Sequence, residues 1–401
     1  MEGSWRKMKI CMLTPSFPAY RGDVQSPFVY NLCKTLIEQN KDVKIVCPEY
    51  IKSKNDLDIE KNVFRFRYMW PLKLQTLTAQ GGIPSSLKKS KWAKIQFPFF
   101  FLFYFLKALK VSRKADVIHA HWTFSGLVGV FCKKIWRKKL ILTTRESLLE
   151  DYLKSKIMKK VFLYVWKNCD FIASANENHS KIISNLGIKK EKTGPVLNGV
   201  DLDLFKIRDR KKVREKLNLP LDKKIVLFVG WLIERKGVTY LFEAAKNIVN
   251  KRDDILFLFV GDGVLYSSLS KKSEGLDNIK FVGRKDHKEV PYWMNAADVF
   301  VFPSLFEGRP NVVAEAMMCG APVIATDIRG IRNELVIDGE TGILVAVKSS
   351  KEIGEKILRV IDDPKLLEKF SKEGKKFIDK KTYSWQDCAK KYYSIYENQV
   401  L

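Results

Sequence analysis

A chain of 401 residues with 46% hydrophobic content is long enough for two domains, each burying a core of its own. The formal charge of +27 is uneven, +21 over residues 1–200 and +6 over 201–401, and calls for an anionic partner: nucleic acid, a membrane surface or an acidic substrate. Seven cysteines, at 11, 33, 47, 132, 169, 319 and 388, are odd in number and form no C-x-x-C, which excludes a disulfide framework or zinc site in favour of buried thiols in a reducing cytosol.

The opening MEGSWRKMKICMLTP runs into a strand at 8–14 with no signal-peptide core. No apolar run reaches the ~20 residues that span a bilayer, so the chain reads as cytoplasmic, at most peripheral on the inner face of the membrane. The loop SFPAYRGDVQSP carries Gly22 ahead of a helix at 27–39. Strand, glycine-bearing loop and helix make a turn that can approach a phosphate or sugar. Strands are expected at 42–47 and 62–67. The segment 88–114, KKSKWAKIQFPFFFLFYFLKALKVSRK, places Pro98 at the first turn of a helix over 99–109 that is apolar nearly all round. Lys88, Lys89, Lys91 and Lys94 precede it, and Lys107, Lys110, Arg113 and Lys114 follow. Two readings stand side by side: an interfacial helix on an anionic membrane, or a core helix with a solvated rim.

DVIHAHW, at 116–122, is a strand that delivers His119 and His121 to one face at the carboxyl edge of a parallel sheet, where open α/β folds bind ligands. No third His, Cys or carboxylate stands at a spacing that would complete a metal site. A strand at 140–144 releases Thr144, Arg145 and Glu146 toward the same edge, as an acceptor contact. A helix at 154–168, a strand at 171–174 and a short helix near Ser180 follow. The polar, charged run after Val200, DLDLFKIRDRKKVREKLNLPLDKK, suits an inter-domain connection. Its D-x-D, Asp201 and Asp203, lies in a linker instead of after a strand and matches a metal motif by letters alone.

Strands at 224–230, 255–260, 279–282, 298–303 and 322–326 alternate with helices, the pattern of a second doubly wound parallel sheet. Arg235 and Lys236 stand at the mouth of a helix from Gly237, where cations beside free N–H groups could neutralise a diphosphate. Asp262 and Gly263 follow the next strand end, flanking a base. In 298–320, DVFVFPSLFEGRPNVVAEAMMCG, a Val/Phe strand leads through a tight loop into a helix from Asn311 that stops at Gly320. Glu307 lies in the loop and Glu315 just past the first helical turn; between them the Asn311 and Val312 amides form an anion site. One hydroxyl-reading carboxylate on each side of phosphate-binding amides suits a nucleotide sugar. An aromatic amphipathic helix closes the chain after Tyr383.

In order, NGVD (198–201), VGWLIERKG (229–237), VGDG (260–263), AADVFVFPS (296–304), the E-x7-E pair, APVIATD (321–327) and ELVIDGETGILV (334–345) resemble the family 4 retaining glycosyltransferases of the GT-B fold. The resemblance implies two Rossmann-like domains facing across a cleft: 1–200 for the acceptor, 201–380 for the nucleotide sugar, and 381–401 as a helix crossing back to the first. It implies a nucleoside-diphosphate sugar donor, UDP being the family's commoner nucleotide and GDP the alternative, and a glycan or lipid-linked acceptor. It implies no metal and no cofactor. His121 would reach the transferred sugar, Glu307 hold its hydroxyls and Glu315 the ribose. Lys236 would join the Asn311 and Val312 amides on the diphosphate. The chain departs from the family twice: Asp23 follows Gly22 where a glycine pair is usual, and Trp231 stands where an arginine is usual, so one phosphate cation is either missing or supplied by Arg235. A nucleotide-sugar epimerase would share the two domains. A dinucleotide oxidoreductase would need an early G-x-G-x-x-G, and a nucleic-acid binder a basic recognition element; neither is present.

Overall fold

The structure, a computed structural model, describes residues 7–23, 25–78, 83, 86–87, 90–146, 149–381 and 383–400. Lys88 and Lys89 lie outside the described residues. The chain forms two compact units, the first of residues 1–199 and 385–401, the second of residues 200–384.

In the first unit the strands are β1 (Lys9–Leu13), β2 (Asp42–Pro48), β3 (Val63–Phe66), β4 (Val117–His121), β5 (Lys139–Thr144), β6 (Phe171–Ser174) and β7 (Thr193–Pro195). They pair in the order β3-β2-β1-β4-β5-β6-β7, all parallel. β1 alternates between two cores: Cys11 and Leu13 join one, Ile10 and Met12 the other. A period of two with both faces apolar is what a sheet covered on both sides requires. Pro27–Glu38 and the C-terminal helix Trp385–Val400 cover one face; Lys91–Ser112, Thr123–Trp136 and Lys156–Asn168 cover the other. Gly199 permits the C-terminal helix to dock, because a Cβ there would lie 2.6 Å from Trp385 Cα.

Three sequence expectations change here. The apolar helix runs over Lys91–Ser112, with Pro98 inside it. Ser90 caps it by accepting the Ala93 N–H at 3.3 Å, and Gln96 anchors its first half by accepting the Thr76 N–H at 2.9 Å. Phe100 and Tyr104 then pack on Phe66 from the same face, so burial on both sides of the exposed Pro98 outweighs the ~3 kcal/mol a mid-helix proline costs. At 22 residues this helix is long and apolar enough to cross a membrane by length and composition, unlike the short segment expected. The helix expected at 154–168 is two, Leu149–Lys154 and Lys156–Asn168, broken at Ser155, which caps the second.

The third concerns the connection after Val200, which belongs to the second unit's core: Phe205 is fully buried there. Its helix Arg210–Lys216 is fixed by buried Arg214, whose Nη2 donates to Asp298 at 2.6 Å and whose Nε donates to the Ala296 carbonyl. The short β8 (Gly199–Val200) pairs with β15 (Tyr383–Ser384).

The second unit's strands are β9 (Lys224–Val229), β10 (Ile255–Val260), β11 (Ile279–Gly283), β12 (Val299–Phe302), β13 (Val323–Thr326) and β14 (Ile343–Val345). Their order, β11-β10-β9-β12-β13-β14, again puts the first strand in the middle. Each sheet therefore reverses winding beside its first strand, between β1 and β4 and between β9 and β12. Carboxyl ends at such a switch point are where doubly wound sheets bind ligands.

Candidate active site

In the second unit both switch-point loops carry expected residues. After β9 the chain turns through Glu234–Lys236 and reaches Gly237 at φ 64°, which opens the helix Val238–Val249. A Cβ on Gly237 would lie 1.9 Å from the Pro303 carbonyl oxygen, so only glycine lets this turn lie against the end of β12. The loops are zipped: the Leu305 N–H and Ser304 Oγ both donate to the Arg235 carbonyl, at 2.9 and 3.1 Å. Side chains then meet. Lys236 Nζ lies 2.6 Å from Glu307 Oε1, Arg235 Nη1 lies 3.3 Å from Oε2, and Ser304 Oγ donates to Oε1 at 2.8 Å.

Burial opposes charge on both members of the Lys236–Glu307 pair. It holds the Lys236 pKa below its usual value, while Lys236 and Arg235 outweigh it at Glu307 and hold that carboxyl below the ordinary range. Glu307 Oε1 has two donors and Oε2 one, so a carboxylate with about four acceptor sites keeps room for another donor.

Pro310 leads into the helix Asn311–Met318, which ends at Gly320, φ 75°. Among the described residues neither side chain at its mouth finds a partner: Asn311 Oδ1 is buried without a donor, and Arg309 has none for Nε, Nη1 or Nη2. Arg309 is 9% exposed, and burial pushes its pKa down to about 10 against the pull of Glu334. In the sequence Arg309 carries no mark of this burial, since an arginine in a loop reads as solvated. Its position between the two E-x7-E carboxylates was the available signal. Glu315 lies 3.6 Å from His287 Nε2; burial lowers the pKa of that imidazole, but Glu315 and Asp201 raise it further, for a net rise. Asp201 accepts the Leu204 N–H at 2.9 Å, a turn-forming role. Trp231 is partly exposed, and Asp262 closes on its neighbour's amide, accepting the Gly263 N–H at 2.7 Å.

In the first unit His121 ends β4 fully buried. Arg145 Nε donates to His121 Nδ1 at 3.2 Å, so the imidazole proton is on Nε2, which has no partner among the described residues. Burial, then His119 and Arg145, hold the His121 pKa well below its ordinary value, which keeps the ring neutral. Arg145 is itself held by Asn198 of the NGVD motif, its Nη1 donating to Oδ1 at 2.6 Å, and lies 4.5 Å over the Phe28 ring. Arg145 thus positions His121. Glu146 is turned inward as well, accepting the Thr123 N–H at 2.5 Å and capping that helix, which corrects the expected acceptor contact. His119 is structural, between Tyr396 and Thr143 at 2.7 Å each. Gly22 has φ 86° in the loop after β1, and Asp23, at the second glycine position, accepts the Ala19 N–H at 2.9 Å.

Two family models match the chain: "Glycosyltransferase Family 4" over residues 25–204 and "Glycosyl transferases group 1" over 209–377. An uncharacterized glycosyltransferase of Methanocaldococcus jannaschii is 31% identical over 307 residues, 73% of this chain and 80% of the relative. The UDP-Gal:alpha-D-GlcNAc-diphosphoundecaprenol alpha-1,3-galactosyltransferase of Escherichia coli is 31% identical over 270 residues, 64% of this chain and 69% of the relative. Among solved structures, Anabaena HepE in complex with UDP superposes with a TM-score of 0.75 at 20% identity, over 98% of this chain and all of that one.

Proposed function

Because the chain belongs to the family 4, group 1 glycosyltransferases, we propose that it moves a hexosyl group from a nucleoside-diphosphate sugar to a glycan or lipid-linked acceptor, retaining the anomeric configuration and needing no metal. UDP is the favoured nucleotide, since relatives in both sequence and fold are named for UDP or a UDP-sugar. The second unit takes the donor and the first takes the acceptor at the inner face of a membrane.

The observation that carries this reading is the group of cations and unpaired polar atoms around the start of the Asn311–Met318 helix: Lys236, Arg235, Arg309 and Asn311. Glu307 engages Lys236; a diphosphate would compete for that ammonium and sit against the Asn311 and Val312 amides. Arg309 supplies the second cation that Trp231 does not. Glu307 turns its remaining acceptor site to the sugar, and Glu315 takes the ribose hydroxyls. His121 donates from Nε2 to the sugar, and Gly22 lets backbone approach the donor. The anomeric carbon–oxygen bond to the diphosphate breaks, and the acceptor oxygen bonds to that carbon from the same face. The acceptor's proton passes to a diphosphate oxygen. Lys236 and the helix amides stabilise the charge developing on the leaving group.

A donor screen reading released nucleoside diphosphate tests this, with product configuration read by NMR and a parallel assay after exhaustive EDTA treatment. UDP release, a retained anomer and full activity in EDTA are expected. Loss of activity that a divalent ion restores would overturn the metal-free mechanism.

A further inference from the structure

We propose that the face of the first unit built from Lys91–Ser112, Thr123–Trp136 and Lys156–Asn168 is a docking surface for an anionic lipid bilayer; this rests on the membrane location proposed above and names the residues that make it. The three helices lie side by side over one core of the sheet. On the first, Trp92, Ile95, Phe99, Leu102 and Leu106 recur at alternating three- and four-residue spacing, which puts them on one stripe. All five point away from that core, at 38% to 54% exposed, while Phe100, Tyr104 and Ala108 fill it. The neighbouring helices extend the apolar surface with exposed Phe131 and Ile135, then Ile157 and Tyr164. A soluble surface carries such residues singly; a contiguous set marks an interface.

Charge decides what covers it. Together the three helices carry ten lysines and no aspartate or glutamate. Lys133 pairs with Asp170 outside them, and Leu149–Lys154 alongside carries Glu150 and Asp151. A second copy of the chain would bring one lysine-rich face against another. A single partner helix would fill one seam, whereas three helices at ~8–10 Å spacing present a surface about twice that wide. A bilayer with acidic headgroups answers both features: it attracts the lysines from a distance and takes in the aromatic and aliphatic side chains on contact. Lysine stems on such a face can lie along the apolar surface with their ammonium groups at headgroup level.

The test uses the full chain and vesicles of phosphatidylglycerol or of phosphatidylcholine. Wild-type protein is expected to co-sediment with phosphatidylglycerol vesicles at low salt and much less with phosphatidylcholine. Phe99→Glu with Leu102→Glu should weaken that binding roughly tenfold or more, since two apolar contacts become like-charged with the lipid. Both side chains are exposed, so circular dichroism and UDP binding should be unchanged in the variant. Equal binding to both lipids, no binding by the wild type, or a variant that binds as well as wild type would each overturn the proposal. A wild-type dimer that the variant converts to monomer would also overturn it, by assigning the face to self-association. If neither protein binds UDP while vesicle binding behaves as expected, the donor reading fails and the docking surface stands.

Discussion

Arg309 sits where a cation is least welcome: 9% exposed, unpaired at all three nitrogens, at the amino end of a helix whose dipole is also positive there. A buried charge without its partner costs several kcal/mol, a cost that an anion bound there, as proposed, would relieve. Arg309→Met should stabilise the ligand-free second unit by about 1–3 kcal/mol and weaken UDP about ten- to a hundredfold. Denaturant unfolding and titration calorimetry read the two effects; unchanged UDP affinity would remove Arg309 from the donor. Glu315→Gln should weaken UDP by roughly 1–3 kcal/mol through the lost charged acceptor. The same change should lower the His287 pKa, because Glu315 is a principal cause of its rise, and NMR titration detects that shift without any turnover.

At the scale of elements, the proposed donor half-site depends on one turn. Glu234–Lys236 reaches Glu307 only because Gly237 both adopts a left-handed conformation and comes within touching distance of the Pro303 carbonyl. Gly237→Ala should therefore cost about 2–4 kcal/mol, from backbone strain plus displacement of β12's end, and reduce donor binding with it. Gly187→Ala is the control: its φ is 89°, but a Cβ meets nothing within 4 Å, so about 1 kcal/mol of conformational strain alone is expected. Equal losses in the two variants would show that the contact with Pro303 is not what fixes the turn. The Lys91–Ser112 helix carries a comparable lesson. Its composition suggested either core or membrane; its structure places one stripe on Phe66 and leaves another in solvent, and only the second is open to the proposed bilayer contact.

For the whole molecule, acid should act on the first unit before the second. His119, His121 and His179 are all buried there, and burial lowers each pKa, to about 3 for His119 and about 4 for His179. With folded values below the unfolded 6.5, the unfolded chain binds more protons between those limits. Stability is then complete above pH 6.5 and falls as pH drops through the window, by on the order of 1 kcal/mol per histidine at pH 5.5. Glu146 works in the opposite sense, since burial raises its pKa and favours its protonated form. Denaturant unfolding at pH 7.5 and 5.5, followed by hydrogen exchange in each unit, should show the first unit losing on the order of 2–4 kcal/mol, the part that Glu146 offsets included, and the second much less. Equal losses in both units would show that these three imidazoles are not the cause.

The order of motifs gave away the fold class in advance: short apolar strands alternating with helices admit little besides doubly wound sheets, and E-x7-E across a strand–loop–helix names its own neighbourhood. The placement of Gly237, Lys236 and Glu307 was legible because it is local, each within a few residues of a strand end. What stayed hidden depends on partners far apart in the chain. Arg145 reads as a loop cation until Asn198, 53 residues on, turns it onto His121. Glu146 reads as a ligand contact until its carboxylate meets the Thr123 amide. Whether Phe99 faces a core or solvent is a matter of which side of a helix the sheet occupies, and a helix apolar all round carries no such mark. Sequence determined which elements form and which bear chemistry; tertiary structure decided which side chains are already satisfied and which, like Arg309 and His121 Nε2, still lack a partner.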